Sequence, residues 1–182
     1  PFELHGDVVR HRLVRSGALT LLISTREKIT ADYRHDLMEA RDQIRALIEQ
    51  QNLTRHQAAA QQQAAAQAGV TTPQQRQQLS DLAGQQANQA ARAVHIADRI
   101  SQTEAAMAIN RMSDSELGKL AADVDQGMRK VGTETMPKAA SDLSRAQDSA
   151  GRANQTPAEQ KQSAQQTADA AQAATSQQDQ AL

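Results

Sequence analysis

The stretch LTLLISTREKITADYRHDLMEARDQIRALIEQQ, residues 19–51, decides the fold. Within it Leu19, Leu22, Arg26, Ile29, Tyr33, Leu37, Ala40, Ile44, Leu47 and Gln51 succeed one another in alternating steps of mostly three and four. That is the a/d spacing of a heptad seam, in which a narrow apolar stripe faces a partner helix. Arg, Asp and Glu fill the other face. Like charges stand four apart at Asp32 and Asp36 and again at Arg41 and Arg45, so the outer surface is not tuned for helix stability alone.

Downstream of Leu53 the stripe fades into NLTRHQAAAQQQAAAQAG, where helix propensity stays high but little remains to bury. The spacing predicts one helix over 18–68, closed by Gly69. Thr72-Pro73-Gln74-Gln75 then opens a second helix. Thr72 can cap it, Pro73 fits the first helical position and Gln75 completes a capping box. Its seam runs Leu79, Leu82, Gln86, Gln89, Ala93, Ile96, Ile100, Thr103, Met107, with two glutamines that exchange stability for register. Only Val70, Thr71 and Thr72 separate the two, and a link that short implies an antiparallel hairpin, 18–68 against 73–110.

Upstream, residues 1–17 lack a clear period, are bracketed by Gly6 and Gly17, and read as an arm leading into the first helix. Downstream, residues 113–152 read as short helices. Ser113-Asp114-Ser115-Glu116 looks like a second capping box, before Leu117, Leu120, Val124, Met128 and Val131 on one side; Gly132 is placed to end that helix and Met136-Pro137 to start another. Thr156-Pro157-Ala158-Glu159 is a third capping box. Since no large apolar residue occurs between Leu143 and Leu182, residues 157–182 are expected to be a weakly packed or disordered Ala/Gln-rich helix. TPQQRQQLSD and TPAEQKQSAQ share a start signal, which two low-complexity helices explain without a true repeat.

Composition supports this reading of an elongated, all-α, coiled-coil-like chain. Of 182 residues, Leu, Ile, Val and Phe make up about a sixth, and Phe2 and Tyr33 are the only aromatics. Ala and Gln supply about a third, so helix propensity is rich and core-forming surface poor. Net charge is −1 from 20 basic and 21 acidic residues, interspersed, which offers no cationic footprint for nucleic acid. The absence of cysteine excludes disulfides and thiolate metal sites. The longest apolar run, Leu19–Ile23, is far short of the roughly 20 residues of a membrane span and is poorly flanked for a signal peptide. A chain that begins at Pro1 is expected to be a segment or a processed product.

No catalytic grouping emerges. His5, His11, His35, His56 and His95 form no HExxH pattern. Asp123-Val124-Asp125-Gln126-Gly127, with Glu134 beyond, resembles a calcium loop, but its glycine comes one position early and Met128 stands where the turn glycine belongs. It reads instead as a solvated acidic helix face. No GxSxG, Walker-type or GxGxxG motif occurs. The Asn52 and Asn154 sequons are expected by chance in a chain of this composition.

The segment RISQTEAAMAINRMSDSELGKLAADVDQGMRKVGTETMPKAASDLSRAQ, residues 99–147, has an Ile/Met helix, an Asn-Arg-Met junction, a short helix and a Met-Pro start before an Asp-Leu-x-x-Ala helix. In these features, over about a quarter of the chain, it resembles a segment of very large bacterial proteins of planctomycete type. Those carry N-terminal membrane helices followed by a long coiled-coil region of unknown function. The resemblance implies a region facing the bacterial cell envelope or periplasm and carries over no functional residue.

The function expected is therefore non-enzymatic: a structural or scaffolding segment for protein–protein interaction or self-association, without cofactor, metal or small-molecule substrate. Its seam residues are Leu22, Ile29, Tyr33, Leu37, Ile44, Leu47, Leu79, Leu82, Ile96, Ile100 and Met107. The alternative is a membrane-peripheral helical module using residues 8–29, where Arg10, His11, Arg12 and Arg15 adjoin Leu19–Ile23.

Overall fold

The computed structural model describes residues 26–68, 72–151 and 157–179. These form α1 (Arg26–Ala68), α2 (Pro73–Ile109), α3 (Glu116–Lys130), a π-turn (Val131–Thr135), α4 (Met136–Gly151) and α5 (Pro157–Asp179), with no strand among them. The leading arm, Leu22, the basic cluster at Arg10–Arg15, the Gly69–Thr71 link and the Thr156 cap lie outside the described residues. No described helix is long and apolar enough to cross a membrane.

Helices α1 and α2 form the antiparallel hairpin. Partner numbers fall along α2 as they rise along α1. Tyr33 Oη donates to the Ala106 carbonyl at 2.8 Å, Glu39 takes a bidentate pair from Arg99, Arg92 donates to Gln50 Oε1, and Gln86 Nε2 donates to Gln51 Oε1 at 3.2 Å. At 1.5 Å per residue, the 43 residues of α1 span about 64 Å. The start of α2 is the reciprocal capping box its sequence predicts: Gln75 N–H donates to Thr72 Oγ1 and Thr72 N–H to Gln75 Oε1.

The chain then turns at Asn110-Arg111-Met112, with Arg111 at φ 55°, in the left-handed region. Here the structure corrects the capping expectation. Ser115, not Ser113, caps α3, accepting from Gly118 N–H at 3.1 Å. The carbonyl of Ser113 instead lies against Gly118, where a Cβ would meet it at 2.5 Å. The turn doubles back over the first helical turn, so Ser113 is spent on the crossing.

Gly132 does not end this helix, a second correction. Backbone helicity runs unbroken from Glu116 through the π-turn to Gly151, so 116–151 is one long column rather than the separate short helices expected over 113–152. Pro137 explains the π-turn in the middle. Proline has no N–H and its ring crowds the carbonyl four residues earlier. A locally widened turn, in which Met136 N–H reaches back to Val131, relieves both problems without stopping the helix. Gly132 earns its place through close approach to α2.

The third correction concerns the C-terminal segment. Helix α5 is docked along α4 and α1. Ala164, Ala168, Ala171 and Ala174 recur every three or four residues and are buried, together with Ser163 and Thr167. Alanine removes little surface from water, about 0.8 kcal/mol per methyl-sized group, but lets backbones approach. Thr167 Oγ1 and Ser163 Oγ reach the α4 carbonyls of Ala146 and Ser149, which aligns α5 antiparallel to α4. A stripe need not be large to pack.

The packing order α1–α2–α4–α5–α1 closes a four-column bundle around Ala58, Leu79, Leu82, Leu143 and the α5 alanines. Toward the Arg111 turn, the core passes to Leu47, Ile96, Ile100 and Met128 and then to Tyr33, Met107 and Met112. At that end, among the described residues, the core is walled by α1, α2 and α3.

Candidate interaction groove

Helix α3 packs on α2 while remaining apart from α1. The space between is an open groove of about 430 Å³, walled by Leu37 and Ile44 of α1 and Leu117, Leu120 and Val124 of α3, with Ile100 of α2 on its floor. Met38 and Leu120 stand at its lips and are 53% and 55% exposed. Single exposed apolar side chains are ordinary, but these two adjoin a continuous apolar trough.

Helical spacing fixes the rim. On α1, Arg34, Arg41 and Arg45 line the groove beside Met38. No acidic residue of α1 lines the groove; Glu39 pairs with Arg99 on the α2 side, and Asp42 pairs with the rim residue Arg41. Arg34 and Arg45 have no ion-pair partner among the described residues. On α3, Glu116 and Asp123 are exposed four before and three after Leu120, hence on the same edge. One lip is basic and the other acidic.

A second cleft lies between α2 and α3, lined by Ser101, Glu104, Met107 and Lys119 among others. Nearby, Arg129 links Asp125 and Asp98 at 3.0 Å each. Oε1 of Glu104 and Oδ1 of Asp125 are buried without a hydrogen-bond partner. Loss of water, then the Asp125 charge, pushes the Glu104 carboxyl above its ordinary range, with Arg129 opposing. By contrast, the Arg99 hydrogen bond and charge hold Glu39 below that range. Among the described residues, no group of three or more His, Asp or Glu side chains is arranged to hold a metal ion.

The structure places the predicted seam residues on two surfaces. Tyr33, Leu47, Leu79, Leu82, Ile96, Ile100 and Met107 are buried in the bundle, while Ile29, Leu37 and Ile44 are half-buried. Leu37 and Ile44 thus serve the groove as well as the hairpin. The polar seam positions are matched across it: Gln86 with Gln51, and Gln89 Nε2 with Thr54 Oγ1 at 2.8 Å. Met38, Arg34, Arg41, Arg45 and Leu120 were not picked out as a joint surface by the heptad pattern. The signal available was the widened stripe Leu37-Met38…Ile44, one residue broader than a two-helix seam requires.

Comparison with models of known protein families, with curated proteins and with solved structures finds no match.

Proposed function

We propose that this chain is a non-enzymatic helical scaffold whose task is to bind another protein along the α1/α3 groove. One observation carries the reading: among the described residues, a bundle of four columns at one end keeps three at the other, and the surface this opens is apolar. Helix-in-groove recognition uses such a trough, with apolar anchors at helical spacing between polar lips. The buried polar groups support a structural role, since Tyr33, Thr103 and Thr167 bond to backbone carbonyls of the helices they join or occupy.

The test is position-specific photo-crosslinking in the cells that make the protein, with a benzophenone side chain at Leu120 or, as control, at Gln126 on the opposite edge of α3. Discrete adducts from position 120 alone are expected. Equal labelling from both positions, or none from either, would sink the interaction reading.

A further inference from the structure

We infer that the groove takes a single amphipathic helix supplied in trans, its apolar stripe on Leu37, Ile44, Leu120 and Val124 and an acidic edge along Arg34, Arg41 and Arg45. This rests on the scaffold reading above and adds the chemistry of the partner.

Continuity with the α5 interface gives the shape of the occupant. The α1 face that is open at Leu37 and Ile44 continues, at helical spacing, to Asn52, Arg55, Ala59 and Gln62, which are half-buried where α5 packs along α1. The antiparallel pairing of Ser163 with Ser149 and Thr167 with Ala146 brings the C-terminal end of α5 to the start of α4. The fourth column therefore ends where the groove begins. From Arg34 to Arg45 the groove runs about 17 Å, or roughly three helical turns. A helix lying there would meet α1, α2 and α3 as α5 meets α1 and α4.

Charge gives the polarity. Arginine stems cover apolar surface while their heads reach outward, so Arg34 and Arg45 present cations to whatever lies in the trough, with Arg41, paired to Asp42, between them. Carboxylates on the facing edge would gain bidentate partners in Arg34 and Arg45, neither of which has an ion pair among the described residues. A second copy of the chain is less suited. Apart from the lips themselves, the exposed large apolar residues among the described ones are Ile48, Leu53 and Ile109. Ile48 and Leu53 are five apart on α1 and Ile109 is at the end of α2, so they form no ridge to insert.

The experiment uses fluorescent 18-residue helical peptides with one Leu/Ile stripe, one edge of Lys to meet Glu116 and Asp123, and the other edge of either Glu or Lys. Anisotropy titrations are run on the full chain at low and physiological salt. The Glu peptide is expected to bind at least tenfold more tightly than the Lys peptide, with a preference that narrows as salt rises. Leu120→Glu should abolish binding of both. Arg34→Glu with Arg45→Glu should invert the preference. All three positions are at the surface lip, and far-UV circular dichroism checks that each variant retains its helicity.

Equal binding of the two peptides would overturn the acidic-edge assignment. Failure of both to bind would overturn it too, and crosslinks from position 120 would then show whether the scaffold reading survives. A dimer by light scattering that Leu120→Glu dissociates would replace the trans helix with a second copy. Protection of Met38 from peroxide in a monomer, lost on Leu120→Glu, would replace it with a segment of the same chain. Either result overturns the proposal.

Discussion

Gly132 lies so close to α2 that a Cβ at this position would stand 2.8 Å from Val94 Cγ2 and 2.9 Å from the Ala90 carbonyl oxygen. A backbone carbonyl cannot rotate away, so the column would have to move. Gly132→Ala is expected to lower stability by about 1–3 kcal/mol. Gly84, also inside a helix, would meet nothing within 4 Å, and Gly84→Ala should raise stability by about 0.5–1 kcal/mol through helix propensity. Urea unfolding of the two variants side by side checks both signs.

Tyr33 ties the start of α1 to the end of α2, at the open end of the hairpin beside the Arg111 turn. Its hydroxyl donates to the Ala106 carbonyl at 2.8 Å and accepts from Asn110 Nδ2. Tyr33→Phe keeps the ring in place beside Met107 and Met112 and should cost about 0.5–1.5 kcal/mol. The denaturation midpoint should fall with an unchanged m-value, since the same surface is buried.

Arg111 holds a left-handed conformation that glycine adopts without a Cβ penalty. Arg111→Gly is expected to stabilise the chain by up to about 1 kcal/mol, seen as a rise in Tm. A fall in Tm would mean that the arginine side chain stabilises the turn more than its backbone strains it.

The α5 interface is built from small residues and should tolerate no growth. Ala171 is fully buried in the cluster with Ala58 and Leu143. Ala171→Leu should destabilise by about 1–3 kcal/mol and accelerate amide exchange in α5 before the α1/α2 hairpin.

Glu104 provides a pH test. Its carboxyl is pushed up by burial and by Asp125, so as pH rises past the ordinary carboxylate range the unfolded chain releases this proton before the folded chain does. This group's contribution to stability is present below the ordinary carboxylate range and is lost as pH rises through the raised value. Glu104→Gln stays neutral and escapes that loss. The variant should melt at a higher temperature than its parent at pH 7, and the gap should close below about pH 4.

The heptad of residues 26–51 and the box at Thr72-Gln75 made the hairpin legible, because spacing and capping chemistry are local. The column from Glu116 to Gly151 was less so. Glycine and Met-Pro are stop signals in isolation, and only the close approach of α2 and a widened turn reverse their meaning. Helix α5 was hidden for a related reason: alanine reads as propensity in a sequence and becomes an interface once another backbone lies against it. The groove was half visible. Leu37, Ile44, Leu117, Leu120 and Val124 are apolar at helical spacing in both segments, but their meeting depends on how α3 sits on α2, which no local pattern encodes.

A hairpin lined with Ala, Leu and Ile has many near-equivalent ways to close. Displacing one helix by two turns exchanges one small apolar contact for another, and such misaligned hairpins would compete with the native one during folding. Gln51, Thr54, Gln86 and Gln89 remove that degeneracy. In a slipped hairpin these groups would face alanine or leucine, each stranded polar group costing about 1–3 kcal/mol. The native alignment already tolerates two unsatisfied amide atoms, Gln51 Nε2 and Gln89 Oε1. The glutamines thus act as a proofreading mark, letting the chain reject wrong alignments that its apolar residues alone could not distinguish.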